Sequence, residues 1–111
     1  RTLSKEQREQ AKKYGVEIHE LRDWDISKLP TFKNPLYISL DMDAFDPACA
    51  PGVSHYEPGG FTARQVLDII QNVKGNIIGA DIVEYNPTKD HHDMTAFLAA
   101  KMMKEILVRM A

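Results

Sequence analysis

The stretch Leu36-Tyr37-Ile38-Ser39-Leu40 constrains this chain more than any other. It is a short, β-rich apolar run that stops at Asp41, which predicts a buried strand. A helix pattern follows downstream. Thr62 with Gln65 forms a capping-box signature, Val66, Leu67, Ile69, Ile70 and Val73 give one apolar face, and Gly75 closes the element. A second short apolar run, Ile77 to Ala80, comes next. Strand, helix and strand in this order imply parallel strands joined by a right-handed crossover.

The remaining elements extend that pattern. Ser4 and Gln7 form another capping box, and the polar helix they open stops at Gly15. Val16 to His19 alternates apolar and polar residues and predicts a third strand. A short helix is expected around Asp25–Leu29. Residues 43–60 contain three prolines and three glycines and read as a long loop, kept ordered by Phe45, Val53 and Tyr56. A last helix is expected to be capped near Asp93, with Phe97, Leu98, Met102, Ile106, Leu107 and Met110 lining its inner side. The fold class is therefore α/β, a parallel sheet flanked by helices. Three strands make a thin sheet whose edges stay open unless further strands join it.

A chain of 111 residues suits one domain, and 43% hydrophobic residues suit a folded one. A net charge of -2 gives no basic surface for nucleic acid and no basic stripe for a membrane. No apolar run approaches the roughly 18 residues of a spanning helix. With Cys49 as its single cysteine the chain forms no internal disulfide, which favours a reducing, cytoplasmic setting. No targeting segment is recognisable at Arg1 to Lys5, and a chain that opens on a helix signal without methionine reads as a piece of a longer protein.

Ligands of open α/β sheets gather beyond the carboxyl ends of the strands. Two acidic clusters fall there: Asp41-Met42-Asp43-Ala44-Phe45-Asp46-Pro47 and Asp81-Ile82-Val83-Glu84-Tyr85-Asn86-Pro87. Asp41 and Asp43, two apart, are expected on one side of the strand end. Neighbouring carboxylates repel unless a cation or proton lies between them, and such hard oxygen donors suit Mg²⁺ or Mn²⁺. The plainer reading is a strand-end acidic pair that caps a loop or a helix.

Taken together, Tyr37 to Pro47, Ala50-Pro51-Gly52, Glu57-Pro58-Gly59-Gly60 and Gly79 to Pro87 resemble the ureohydrolase family of arginases and agmatinases. Ser4 to Gln10 and Pro51-Gly52-Val53-Ser54-His55 look closest to plant-type arginases. The resemblance runs from about Arg1 to Ala111 and implies the C-terminal part of an arginase-like domain with a three-layer α/β/α fold. It also implies that Asp41 and Asp43 ligate a pair of Mn²⁺ ions, two per subunit in the intact enzyme. Glu84 matches the glutamate that binds the substrate guanidinium, and Asp81 is expected on the same turn, supporting the site. Asp46 with Pro47 is expected to turn the chain. His55 stands where many relatives have threonine; it either tunes substrate choice or is a plain surface histidine. His91 and His92 read as solvated loop residues, and Cys49 as a small packed residue.

The implied reaction is hydrolysis of a small guanidino substrate, arginine to ornithine and urea or agmatine to putrescine and urea. No nucleic acid or membrane partner is expected, and the full-length family forms trimers or hexamers. The family's other ligands, an upstream histidine and an Asp-x-His-x-Asp run, do not occur in this sequence. Without them the chain by itself is expected to be inactive. Two further readings are a haloacid-dehalogenase-like phosphatase built on Asp41-x-Asp43, and a non-catalytic folding or association module.

Overall fold

Parallel pairing of two short strands organises the chain; the computed structural model describes residues 3–111. Strand β1 (Leu36–Asp41) runs beside β2 (Ile77–Val83), in register from Tyr37 opposite Gly79 to Asp41 opposite Val83. Three helices accompany them: α1 (Lys5–Lys13), α2 (Ala63–Asn72) and α3 (Met94–Met110). Both capping boxes are present, Ser4 with Gln7 and Thr62 with Gln65, so each helix starts where its reciprocal side-chain bonds satisfy free backbone N–H groups. After α1, Gly15 takes φ +68, a conformation that glycine adopts without a Cβ clash.

Burial alternates along β1. Leu36, Ile38 and Leu40 pack with Ala80 and Ile82 of β2 against a core that includes Val66, Ile70, Met102 and Ile106 of α2 and α3. The opposite face carries Tyr37, Ser39 and Asp81. Asp81 accepts hydrogen bonds from Ser39 Oγ (2.6 Å) and Tyr37 OH (3.1 Å). The molecule is thus an α/β unit in which the described residues supply the sheet and one helical layer.

Three local expectations need correction. Val16 to His19 forms no strand; among the described residues no ladder partner reaches it, and Val16 and Ile18 stay exposed. β2 is longer than Ile77–Ala80, because the Ser39 and Tyr37 hydroxyls accommodate Asp81 inside the ladder. Asp81 therefore lies within the strand, not on a turn with Glu84. On α3 the inner stripe is Thr95, Met102 and Ile106, with Leu98 and Ala99 beside it. Phe97 is 73% exposed and Leu107 also faces outward, since a helix advances 100° per residue and these positions fall outside the stripe, while Met110, in line with Ile106, is exposed at the last residue of the helix.

Candidate active site

The two acidic clusters leave the sheet at the same end, where Asp41 and Val83 pair as the last residues of their strands. Beyond β1 the chain tightens into a 3₁₀ turn, Met42–Ala44, capped by Asp41, whose Oδ1 accepts the Asp43 N–H at 2.8 Å. Asp43 is therefore on a turn, and strand periodicity does not set the relation between the two carboxylates. Asp41 is exposed, and one of its oxygens holds the turn. Met42 and Phe45 flank Asp43 at 0% and 1% exposure. Fully burying side chains of this size contributes roughly 1.5–3 kcal/mol each, which anchors the turn firmly to the core.

The long loop that follows is pinned at its base. Phe61 pairs with Phe45, with Asp46 N–H donating to Phe61 O and Phe61 N–H to Ala44 O, both at 2.9 Å. Asp46 accepts from Ala48 N–H (2.9 Å) and Gly59 N–H (2.8 Å), and these backbone donors lower its pKa. The structural role expected of Asp46 follows from these bonds. Ala50, Gly52 and Val53 are buried, while His55 stands out at 82% side-chain exposure. Its Nδ1 nevertheless lies 3.6 Å from Asp43 Oδ2, and the Asp43 side chain is only 16% exposed.

Glu84 is the first residue after β2 and has φ +64. Left-handed backbone at a residue with a Cβ costs on the order of 1–3 kcal/mol and persists only where the surroundings enforce it. Here Val53 and Tyr85 form an antiparallel bridge directly beyond Glu84, and Asn86 N–H donates to Gly52 O at 2.8 Å. The turn brings Glu84 to Asp43 and His55. One potential ligand atom from each of these three residues lies within 4.8 Å of the others. Asp41 is outside that trio. Two carboxylates and an imidazole so close together form a cation-seeking site, and the same donor set suits a divalent metal or a guanidinium fork.

Other expected residues stay apart from the trio. His91 and His92 are exposed and stack edge-on with each other at 4.3 Å. Cys49 donates to Asp46 O at 3.3 Å, and burial pushes its thiol pKa up, which suits a packed residue. Asp93 occupies the N-cap position of α3 as expected, but with φ 58 and no side-chain cap bond. The capping carboxylate is Asp90, which accepts the Thr95 and Ala96 N–H groups, each at 3.0 Å. Its burial alone would raise its pKa, but these bonds, with the Thr95 hydroxyl and the His91 N–H, outweigh that and hold it down at about 2. Neither Asp90 nor Thr95 stood out in sequence. Only the Asn86-Pro87-x signature, a side-chain cap ahead of a proline at the first helical position, was readable at this loop.

Comparison with known proteins places these features. The family model described as the arginase family matches residues 1–108. The curated "Arginase, mitochondrial" of Medicago truncatula is 45% identical over 120 residues, covering 100% of this chain and 35% of the relative. The agmatinase of Bacillus anthracis is 38% identical over 114 residues, covering 97% of this chain and 39% of the relative. Among solved structures, the arginase from Medicago truncatula superposes with a TM-score of 0.90 at 45% identity, covering 99% of this chain and 37% of that one. A T. brucei arginase-like protein triple mutant bound with Mn²⁺ gives 0.86 at 28% identity, covering 98% and 40%. The chain thus spans about a third of the length of the curated relatives it matches.

Proposed function

The chain belongs to the arginase family, and from that premise we propose that it forms one side of a manganese-dependent ureohydrolase site that opens a guanidino substrate. Membership of this family displaces the phosphatase reading of Asp41-x-Asp43. The observation that carries the proposal is the convergence of Asp43 and His55, from the two ends of the long connection after β1, with Glu84 from the loop after β2, one donor atom of each lying within 4.8 Å of the others.

The donor chemistry fits the metal. Carboxylate oxygens beside an imidazole suit Mn²⁺, and Asp43 offers a carboxylate largely withdrawn from solvent. Asp41 and Asp43 are the residues proposed to hold it, two ions per subunit, with the remaining ligands supplied from outside this chain. Manganese bound there would supply the Lewis acidity that makes water a competent nucleophile at neutral pH.

The chain's own groups do the binding and orienting. Glu84 presents an acceptor pair to the cationic guanidinium, and a carboxylate can take two N–H donors of that fork at once. Its fixed, left-handed backbone limits the directions the carboxylate can take, which pre-orients the guanidinium carbon. His55, exposed at the rim, meets the part of the substrate beyond the guanidinium. Arginine, giving ornithine and urea, and agmatine, giving putrescine and urea, both satisfy these contacts. Assembly into trimers or hexamers, and a cytoplasmic or, in a eukaryote, organellar setting, belong to the same proposal. Among the described residues no helix is long and apolar enough to cross a membrane.

Glu84 could serve substrate or metal, and one experiment separates the two. Glu84→Gln in the full-length protein removes one acceptor oxygen and adds a donor. Losing one partner of a desolvated charge pair costs about 2–5 kcal/mol, or roughly 30-fold or more in kcat/KM. Urea release should fall by that factor at unchanged manganese content. Lost manganese would make Glu84 a ligand, and unchanged efficiency would remove it from the site.

A further inference from the structure

The loops that carry His55 and Glu84 leave the sheet separately, yet they are joined one residue away from each. Gly52 N–H donates to Thr95 Oγ1 at 2.6 Å, and Gly52 O accepts from Asn86 N–H at 2.8 Å. Val53 bridges Tyr85. Asn86 Nδ2 donates to Ser54 Oγ at 2.9 Å, and Lys89 Nζ to Ser54 O at 3.2 Å. Residues 52–54 are thus tied to residues 85–95 along their whole length, with His55 next after Ser54 and Glu84 next before Tyr85.

Thr95 sits at the centre of this junction. It is fully buried at 0% exposure, the one polar residue in that position among the described residues. A threonine hydroxyl has one proton to give and lone pairs to accept with. Thr95 accepts from Gly52 through its hydroxyl, while its backbone N–H and that of Ala96 go to the Asp90 carboxylate. The Gly52 N–H can only donate, so Thr95 Oγ1 is the acceptor, and the same residue is tied through its backbone N–H to Asp90. The contact leaves no slack, since a Cβ at Gly52 would lie 2.8 Å from Asp90 Cβ and 2.9 Å from Thr95 Cβ.

We infer that Thr95 is a positioning residue: its buried hydroxyl locks Gly52–Ser54 onto the loop after β2 and so holds His55 opposite Glu84. The guanidino substrate then meets a pair of groups whose spacing is set by a residue that touches neither. This role in substrate binding rests on the ureohydrolase reading; the lock itself does not.

The test compares Thr95→Val, which keeps the shape and loses the hydroxyl, with Thr95→Ser, which keeps the hydroxyl, in the full-length protein loaded with Mn²⁺. Urea release from arginine and from agmatine, manganese content, and amide hydrogen exchange over Gly52–His55 are measured on the same preparations. The expected result for Thr95→Val is a KM raised about 10-fold with kcat within about threefold. Manganese should be unchanged and amide protection lost at Gly52–His55, and Thr95→Ser should restore both KM and protection. Thr95→Val with wild-type KM overturns the inference, because a residue that only stabilises the fold would lower the amount of active protein and leave KM alone. Should Thr95→Val fail to fold, Ser54→Ala, which cuts the Asn86 strut near the surface, carries the test: a raised KM supports the lock and an unchanged KM overturns it. If the wild-type protein hydrolyses neither compound, the ureohydrolase reading fails, and exchange alone decides the lock. Protection lost in Thr95→Val and kept in Thr95→Ser supports it; equal protection in both overturns it.

Discussion

His55 Nδ1 lies 3.6 Å from Asp43 Oδ2, although the first side chain is 82% exposed and the second 16%. The pair joins the floor of the site to its rim. Asp43 is fixed from below by its buried neighbours Met42 and Phe45, and His55 is fixed from behind by the backbone of residues 52–54.

Asp43→Asn keeps the size of the side chain and removes its charge. A paired-metal site depends on carboxylate charge to hold both ions. Elemental analysis of the full-length variant is expected to show fewer than two manganese ions per subunit, with activity lost in parallel. Two tightly held ions in the variant would exclude Asp43 from the metal shell.

Glu84→Gly should separate stability from activity. Glycine adopts φ near +64 without the cost that Glu84 bears there, while it raises the unfolded-state entropy by roughly 0.5–1 kcal/mol. These terms nearly cancel, so denaturant titration should show stability held within about 1 kcal/mol or raised. Urea release should be abolished in the same protein. A large loss of stability would mean that the Glu84 side chain supports the fold.

Gly60→Ala should damage the fold, and the site with it. A Cβ there would lie 2.5 Å from Phe45 C, 2.6 Å from Asp46 N and 2.7 Å from Phe45 O. These are backbone atoms and cannot rotate away, so the base of the 46–61 loop must shift. Overpacking of this kind costs about 1–3 kcal/mol or more. Chemical denaturation should register that loss, while Gly15→Ala, with open space around its Cβ and only its φ of +68 against it, should cost less.

Asp90 should make the fold sensitive to acid. Its pKa is about 2 in the folded chain against an ordinary value of 3.8. A depressed carboxylate contributes stability that is complete above the unfolded value and is lost as pH falls through the folded one. Its contribution should therefore fade between about pH 4 and pH 2. Asp90→Asn should be less stable than the parent at neutral pH, with the difference narrowing across that window when thermal unfolding is followed as a function of pH. A difference that stayed constant from pH 7 to pH 2 would show that the charge of Asp90 is not what supports α3.

Local pattern determined much of this protein. The two capping boxes, the left-handed Gly15, the apolar run that becomes β1 and the acidic residues waiting at its end depend on neighbours a few positions apart, and such relations are written directly in sequence. So was the resemblance that pointed to Asp41, Asp43, His55 and Glu84. What tertiary structure alone decided depends on groups far apart in the chain. Val16 to His19 has strand alternation but no partner to pair with, and alternation alone cannot supply a ladder. β2 runs past Ala80 because Ser39 and Tyr37, on another strand, accept Asp81 into the sheet. The separation of Asp41 from the Asp43–His55–Glu84 trio follows from a 3₁₀ turn that the Asp41 cap starts and the burial of Met42 and Phe45 anchors. Thr95 carries no sequence signal at all; a hydroxyl on an apolar helix face acquires its role only when the Gly52 amide, brought there by the fold, comes within 2.6 Å of it.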